Sequence, residues 1–435
     1  MRCNMILLSV VTYLLPAGPI LGNTGTVGYG FSQNGDYCVR VVVGSSQDER
    51  AQIQLFKYDH AARTAAMVRS THLPYWNKPL KVLVSDNGRF IAALGKYGGA
   101  GDDLRDGIWM WDTQRDRARS IDLDSLFSEK DMERYVSRFH MLPGIYWFAY
   151  DADGLSPVFD LQRRVLYVTT GVNAFSLENR YSERARKKYA TRRPTVVIDF
   201  EAMTARKVDT RRVSQWKERH DQAVMEDRLV EALLDSYLSD ASYSHIRRLV
   251  RQSLRVPSVE IRAVGDEWLF RLEPGNGRAH ASIVALKYAE NKNAFICIRE
   301  LRTLNPVAPC DWRVSRDGRH IVTLDDINGI GTTQNTIVIY RVRDGKRKRY
   351  ELREFLSQSD VARLTVGPDL VAWRSTIWNM ETVNDDGRTI EINHYGPSHL
   401  PRVLVSLDQM TVAVRPAERK KKQEGQVYSS LEPHR

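Results

Sequence analysis

Cysteine is scarce in this chain, and the motifs of the common catalytic and metal sites are missing. The sequence has 4 cysteines in 435 residues, and it contains no CxxC pair or cysteine–histidine spacing of the kind that holds zinc. No G-x-S-x-G, H-E-x-x-H or phosphate-loop motif occurs either. The sequence therefore predicts no catalytic residue, no cofactor-binding residue and no metal ligand. Whether the protein is an enzyme stays open at this point.

Long apolar runs are also absent, apart from one at the N-terminus. Residues 1–22 begin with Arg2, continue with a mostly apolar stretch from Met5 to Leu15, and end in small residues after Pro16. This is the plan of a secretory signal, and the run is short for a membrane helix. We predict an exported protein, periplasmic or extracellular, with residues 1–22 as its signal peptide. A retained N-terminal anchor and a hydrophobic first strand are the alternatives.

Export would permit disulfide bonds. Beyond Cys3 the chain has Cys38, Cys297 and Cys310. Cys297 and Cys310 are close enough in sequence to bridge neighbouring strands, but proximity does not establish the geometry that a disulfide needs. The sequence leaves this bridge open.

The charge of the chain is positive and concentrated. The formal net charge is +11, from 64 Lys and Arg against 53 Asp and Glu. The basic clusters lie at residues 184–193, 343–349 and 419–422. Such a field favours anionic partners, although it is also a common solubility device. The clusters lack the interleaved aromatic residues of single-strand nucleic-acid grooves. We therefore expect an unidentified protein or an anionic envelope polymer as partner, with a weak peripheral membrane contact, and we do not expect nucleic acid.

An internal repeat is the most informative feature of the sequence. Residues 84–91 (VSDNGRFI) match residues 314–321 (VSRDGRHI), and residues 31–37 (FSQNGDY) form a third, partial copy. The Asn-Gly and Asp-Gly pairs accept the positive φ angles of tight hairpin turns, so each copy predicts strand, turn, strand. The first two copies continue in parallel to Ser128-x-x-Asp131 and Ser357-x-x-Asp360, which predict helix starts.

Each long copy supplies about four short strands, and weaker strand patterns fill the rest of the chain. The sequence thus predicts a mainly β fold, a β-propeller-like array of about six four-stranded units with an inserted helical hairpin. The predicted organisation is a signal peptide (1–22), a first propeller-like part (23–210), a helical insertion (211–256), a second propeller-like part (257–416) and a disordered basic tail (417–435).

Two motifs carry a family resemblance. The Ser-x-Asp/Asn-Gly-Arg turns resemble the blade starts of bacterial propeller repeats, and residues 108–112 (IWMWD) resemble the third strand of tryptophan–aspartate repeats. The chain departs from that family because it has no Gly-His pair and only one Trp-Asp pair. As a whole it resembles uncharacterised exported bacterial proteins. The resemblance implies a propeller fold and no particular activity.

Function is therefore expected to be that of an exported, non-catalytic binding or scaffold protein. The alternative is a hydrolase or lyase with its site in the propeller channel. Several acidic pairs have a faint likeness to cation sites, but we interpret them as polar turns: residues 102–103, 151–154 and 325–326. His394 and His399 flank a Gly-Pro pair, which is typical of a loop.

Overall fold

The computed structural model describes residues 27–46, 48–95, 106–135, 137–139, 144–148, 157–170, 193–209, 257–276, 278–327, 329–367, 370–371, 373–374, 381–383, 388–392 and 402–415. The predicted signal peptide, helical hairpin and basic tail lie outside these residues and stay predictions, as do the domain boundaries. No helix within the described ranges is long and apolar enough to cross a membrane.

Four-stranded antiparallel units, numbered 1 to 6 along the sequence, make up most of the described chain. Unit 1 contains β1 (Val27–Phe31), β2 (Tyr37–Val42), β3 (Gln52–Asp59) and β4 (Thr64–His72). Unit 2 contains β5 (Lys81–Val84), β6 (Phe90–Leu94), β7 (Ile108–Asp112) and β8 (Arg117–Ile121). A short ribbon follows, formed by β9 (Ser137–Phe139) and β10 (Gly144–Tyr146). Unit 3 contains β11 (Val158–Asp160), β12 (Val165–Thr169), β13 (Pro194–Asp199) and β14 (Thr204–Asp209).

The second half of the chain repeats this order. Unit 4 contains β15 (Glu260–Val264), β16 (Trp268–Glu273), β17 (Ser282–Ala289) and β18 (Ala294–Arg302). Unit 5 contains β19 (Pro309–Val314), β20 (His320–Asp326), β21 (Ile337–Arg341) and β22 (Arg347–Tyr350). A second ribbon is formed by β23 (Thr365–Gly367) and β24 (Leu370–Val371). Unit 6 contains β25 (Glu381–Val383), β26 (Thr389–Ile392), β27 (Arg402–Ser406) and β28 (Thr411–Arg415).

Short helices follow units 2 and 5 at matching places. A 3-10 turn (Leu123–Ser125) precedes α1 (Glu129–Tyr135), and a second 3-10 turn (Leu352–Glu354) precedes α2 (Gln358–Leu364). The predicted helix starts are confirmed. The hydroxyl of Ser128 accepts from the Asp131 amide at 3.3 Å, and that of Ser357 accepts from the Asp360 amide at 3.1 Å. A further 3-10 turn, Glu290–Lys292, joins β17 to β18.

The repeated turn is built as its sequence predicts. Gly35, Gly88 and Gly318 have φ angles of 74°, 68° and 70°, which glycine adopts without strain. In each turn the serine hydroxyl accepts a 2.9 Å hydrogen bond from the amide five residues on, and donates to the Asn or Asp side chain between them. β5, β6 and β7 form an antiparallel sheet equivalent to that of β19, β20 and β21.

The chain is an internal duplication in which units 1, 2 and 3 correspond to units 4, 5 and 6. Thr64 and Ala294, which begin β4 and β18, are 230 positions apart, and so are Gln52 and Ser282, which begin β3 and β17. The two halves also share details that packing does not force. Both β3–β4 and β17–β18 shift register at the same place, after Leu55 and Ala285.

The hydrophobic cores lie between neighbouring units. One face of β3 points toward unit 2 through Ile53 and Leu55, and the other toward unit 4 through Phe56 and Tyr58. Further cores join units 2 and 3, units 4 and 5, and units 5 and 6. The predicted mainly β, propeller-like array of four-stranded units is confirmed. Units 1 and 4 are joined by β4 and β18 into one eight-stranded sheet, and unit 1 also shares a core with unit 2, so the spatial order of the units differs from their order in the chain.

Candidate functional site

The fourth strands of units 2, 3 and 5 carry the clearest surface feature of the molecule. Seven basic residues on these strands are exposed, and we name them the basic rim: Arg117, Arg119, Arg206, Lys207, Arg347, Lys348 and Arg349. The same strands contain one acid, Asp209. The basic cluster predicted at residues 343–349 supplies three residues of this rim. The sequence did not predict the other four: Arg117, Arg119, Arg206 and Lys207.

The rim follows from the position of these strands in their sheets. β8, β14 and β22 each pair on one side only among the described residues, and their basic side chains are exposed, while Ile121, Val208 and Tyr350 of the same strands pack against cores. Arg119 pairs with Met110 and Lys348 pairs with Ile339, which places basic side chains at equivalent positions in units 2 and 5. Charged residues on an exposed edge also discourage pairing with other chains. The rim therefore serves edge protection whether or not it binds a ligand.

Most of the rim charge is not neutralised within the described part of the chain. Lys207 forms an ion pair with Asp131, and Arg349 donates to the Gln334 side chain at 2.9 Å. The ammonium of Lys348 lies 5.1 Å from the centre of the Tyr350 ring. Arg117, Arg119, Arg206 and Arg347 have no acidic partner within 4 Å there. Uncompensated charge of one sign raises the local concentration of anions.

A second polar feature lies where the first strands of units 4 and 5 meet. Asp311 of β19 accepts from Arg262 of β15 and from Arg313, both at 3.2 Å. Trp312 Nε1 donates to Glu260 Oε2 at 2.8 Å, and the Arg262 guanidinium lies 4.7 Å from the Trp312 ring centre. We name Glu260, Arg262, Asp311, Trp312 and Arg313 the first-strand cluster.

A fully buried ion pair lies close to this cluster. Arg374 Nε donates to Asp325 Oδ2 at 2.8 Å, and both side chains are 0% exposed. The Gly331 amide and Trp373 Nε1 also donate to the Asp325 carboxylate, at 2.8 Å and 3.0 Å. Burial raises the pKa of Asp325, although Arg374 and the other donors oppose that shift.

Comparison of the two halves shows that the polar groups are specific to the second. At the places of Glu260 and Trp312, 230 positions earlier, the first half has Gly30 and Val82. There the strands approach so closely that a Cβ on Gly30 would lie 2.5 Å from the Val82 carbonyl oxygen. The second half thus replaces a tight backbone contact with a hydrogen-bonded pair.

The charges of the first-strand cluster favour a structural role over a catalytic one. Burial alone would raise the pKa of Asp311, but Arg313, Arg262 and Arg374 hold it below its ordinary value, so the carboxylate stays ionised. The three arginines are matched by the acids Glu260, Asp311 and Asp325. An ionised, arginine-bound carboxylate is a poor proton donor and a weak base. We interpret the cluster as a structural network that joins units 4 and 5.

The weaker sequence candidates resolve in different ways. Asp325 binds Arg374 and Trp373, and Asp326 accepts from Asn305 at 2.6 Å and Asn335 at 3.0 Å. Both carboxylates are therefore held by protein donors, as a structural turn requires. Residues 102–103 and 151–154, with His394 and His399, lie outside the described residues. No group of three or more metal-ligating side chains occurs within the described ranges.

The bridge left open between Cys297 and Cys310 is not formed, because neither cysteine takes part in a disulfide. Cys297 lies on β18 and Cys310 on β19, the fourth and first strands of neighbouring units. Burial raises the pKa of the Cys38 and Cys297 thiols, which favours the unreactive protonated form.

Comparisons with known proteins give no family. No protein-family model and no curated protein matches the sequence. Among solved structures, a functionally unknown protein from Desulfotomaculum acetoxidans is 9% identical, with a TM-score of 0.21 over 90% of this chain and 89% of that chain. A 6-phosphogluconolactonase-like protein from Bacteroides uniformis is 10% identical, with a TM-score of 0.20 over 74% and 83%. Prolyl oligopeptidase B from Galerina marginata is 9% identical, with a TM-score of 0.24 over 92% of this chain and 43% of that chain. Similarities this weak carry no argument about function.

Proposed function

We propose that this protein is an exported, non-catalytic binding protein that holds anionic polymers of the cell envelope on its basic rim. The observation that carries the proposal is the charge of the fourth strands of units 2, 3 and 5, which expose seven basic residues against the single acid Asp209. The proposed export rests on the sequence of residues 1–22.

The physical argument starts from the pairing of charges. The buried and half-buried charges of the second half, such as Asp311 and Asp325, are matched by arginines in their own network. The rim charges are exposed and mostly lack acidic partners in the described chain. Exposed charges act through a field that salt screens, with a Debye length of about 10 Å at 0.1 M ionic strength. Binding should therefore be weak per residue, additive along the rim and sensitive to salt.

The strand-like spacing of β22 suits a linear polymer. Arg347, Lys348 and Arg349 are consecutive, so their side chains alternate across the edge strand and present positive charge on both of its sides. Each basic residue near an anionic surface contributes roughly 1 kcal/mol. Removing three such residues should weaken binding by about 100-fold at low salt, since 1.4 kcal/mol corresponds to a factor of ten.

The test compares two triple variants with equal loss of charge. Arg347→Gln/Lys348→Gln/Arg349→Gln removes the rim residues of unit 5, and the control Lys130→Gln/Arg278→Gln/Lys292→Gln removes three exposed charges elsewhere. Binding of the full chain to polygalacturonate is measured at low and high ionic strength, with phosphatidylglycerol vesicles as a second anionic probe. We expect a large loss for the rim variant, a small loss for the control, and little binding by any chain at high salt.

Two outcomes would overturn the proposal. Equal binding by the rim variant and the control would show that net charge, and not the rim, determines affinity. Loss of binding in a chain that ends at Pro416, with the rim intact, would assign the activity to the basic tail at residues 417–435.

A further inference from the structure

The fourth strands of units 1 and 4 expose two aliphatic side chains at equivalent places. Val68 of β4 is 47% exposed and Ile298 of β18 is 43% exposed, and they are 230 positions apart. Each is the extra residue of a β-bulge. Met67 and Arg69 pair with Phe56 and Leu55, and Val68 is passed over in the register. Ile298 is passed over in the same way on β18.

The two strands meet at a local two-fold axis and then separate. Ala65 lies directly opposite Phe295, its own equivalent in the other half, and Ala66 lies opposite Ala294. These two residue pairs, with a 3.1 Å hydrogen bond from the Met67 amide to the Asn293 carbonyl, join β4 to β18 in the described chain, although each strand is nine residues long. Residues 68–72 and 298–302 therefore keep one edge without a paired strand in the described chain.

The sequence at each bulge follows one pattern, in which Val68, Ile298 and Arg69 are exposed and Arg299 is half-buried. Val68-Arg69 in the first half corresponds to Ile298-Arg299 in the second, and His72 corresponds to Arg302. A bulge and a nearby charged residue already protect an edge from pairing, so protection does not require an exposed aliphatic side chain, which invites contact. Both halves nevertheless present an aliphatic side chain at the bulge, followed by an arginine.

We propose that each half binds an extended, acidic segment of a partner protein, which adds as a strand to the free edge of β4 or β18. Backbone groups of the edge would pair with the segment, Val68 or Ile298 would contact its apolar side chains, and Arg69 or Arg299 would bind its carboxylates. The two bulges lie three residues either side of the axis, which corresponds to about 20 Å at 3.3 Å per residue. They therefore form two separate sites per chain.

The charge of the edges selects this occupant. The acid on the free part of β18, Glu300, is engaged by Arg63 in an ion pair. The arginines on the free parts of the two strands are Arg69, Arg299 and Arg302. A second copy of either edge would bring like charges together, which disfavours self-pairing. A lipid surface has no backbone amides or carbonyls to pair with a strand.

The experiment uses a fluorescein-labelled, end-capped peptide of ten residues that alternates valine and glutamate. Its binding to the full chain is measured by fluorescence anisotropy, and its stoichiometry by calorimetry. Two further peptides are the controls: one methylated at every second backbone nitrogen, which cannot pair as a strand, and one with lysine in place of glutamate. We expect two sites per chain, and at least a tenfold loss of affinity for each control peptide.

Variants locate the two sites. Val68→Thr/Arg69→Gln should remove one site and leave the other, and Ile298→Thr/Arg299→Gln should do the converse. Val414→Thr/Lys130→Gln, which changes another exposed valine and an exposed lysine on α1, should leave both sites. The rim variant Arg347→Gln/Lys348→Gln/Arg349→Gln should also leave peptide binding intact, so this proposal and the proposed polymer binding can fail separately.

Three results would overturn the inference. Equal affinity of the methylated peptide would mean that charge alone attracts it. A stoichiometry unchanged by both edge variants would place the peptide elsewhere. Self-association of the free chain in sedimentation velocity, abolished by the edge variants, would make a second copy the occupant.

Discussion

Removal of Arg374 tests the buried ion pair most directly. Asp325 and Arg374 are 0% exposed, and the Arg374 Nε hydrogen bond to Asp325 is 2.8 Å long. The variant Arg374→Met keeps the apolar volume but leaves a buried carboxylate with only Gly331 and Trp373 as donors. Breaking a buried pair from one side typically costs about 3–5 kcal/mol. We expect a loss of that size in the free energy of unfolding at neutral pH.

The loss should depend on pH with a definite sign. Burial already raises the pKa of Asp325 above its ordinary value of 3.8, and removal of Arg374 raises it further. A folded state that holds the proton more tightly than the unfolded state is stabilised below the unfolded pKa, and loses that stability as pH rises through the folded pKa. Arg374→Met should therefore be most damaging at neutral pH and less damaging at pH 4.

Urea denaturation of the full chain at pH 7.5 and pH 4 provides the measurement, with Asp325→Asn and Asp325→Asn/Arg374→Met completing the cycle. An amide at position 325 still accepts from Gly331 and Trp373. The double variant should therefore recover most of the loss, to within about 1–2 kcal/mol of the wild type. A single variant Arg374→Met as stable as the wild type, or equally weakened at both pH values, would refute the reasoning.

Two further predictions concern a buried residue that differs between the halves and two glycines that adopt a positive φ. His320 is buried where the first half has Phe90, which stacks on Phe200 at 4.8 Å, and burial lowers the pKa of His320. Stability from a histidine with a lowered pKa is lost as pH falls below about 6.5, so His320→Phe should reduce the loss seen between pH 7.5 and pH 5 in urea melts; an unchanged loss would contradict this. Gly331 has a φ of 70° and a Cβ there would lie 2.9 Å from Trp373 and Val371, whereas Gly265 has a φ of 58° and open space. Gly331→Ala should therefore cost roughly 2 kcal/mol or more, and Gly265→Ala roughly 1 kcal/mol, in thermal or urea unfolding; equal losses would show that the contact with Trp373 is relieved at no cost.

The features that sequence reasoning found are those encoded within a few neighbouring residues. The Ser-x-Asn/Asp-Gly turn is local because the serine hydroxyl, the Asn or Asp side chain and the glycine φ act within six positions. The helix starts at Ser128 and Ser357 are local for the same reason. Residues 108–112, compared with the third strand of tryptophan–aspartate repeats, do form the third strand of unit 2.

The features that it missed depend on positions far apart in the chain. Asp325 and Arg374 are 49 positions apart, and neither residue alone signals a pair. Four rim residues form no basic run in the sequence: Arg117, Arg119, Arg206 and Lys207. They can be recognised as a surface feature only when β8 and β14 are known to be fourth strands. The weaker strand patterns did not show which strands share a sheet, and β24 (Leu370–Val371) belongs to a two-stranded ribbon outside the sheet of unit 6.

Units 1 and 4 correspond less clearly in sequence than units 2 and 5. One reason is that a contact found in both units uses arginines at positions that do not match. Arg40 lies 4.2 Å from the ring centre of Tyr288, and Arg271 lies 4.4 Å from that of Tyr58. Tyr58 and Tyr288 are 230 positions apart, but Arg40 corresponds to position 270 and not to Arg271. The two halves thus reach the same cation–π contact from adjacent positions on the strand.

Duplication also provides an internal reference for deciding which residues need a functional explanation. Where both halves bury the same type of residue after a two-stranded ribbon, as with Trp147 and Trp373, packing alone explains the presence of that residue. The bulge residues Val68 and Ile298 recur too, but both are exposed, so no core requires an aliphatic side chain at either place. Exposed residues that recur in both halves are therefore the ones that packing leaves unexplained. That reasoning separates Val68 and Ile298 from the structural network at Asp311, and it makes the edges of β4 and β18 the first place to look for a protein partner.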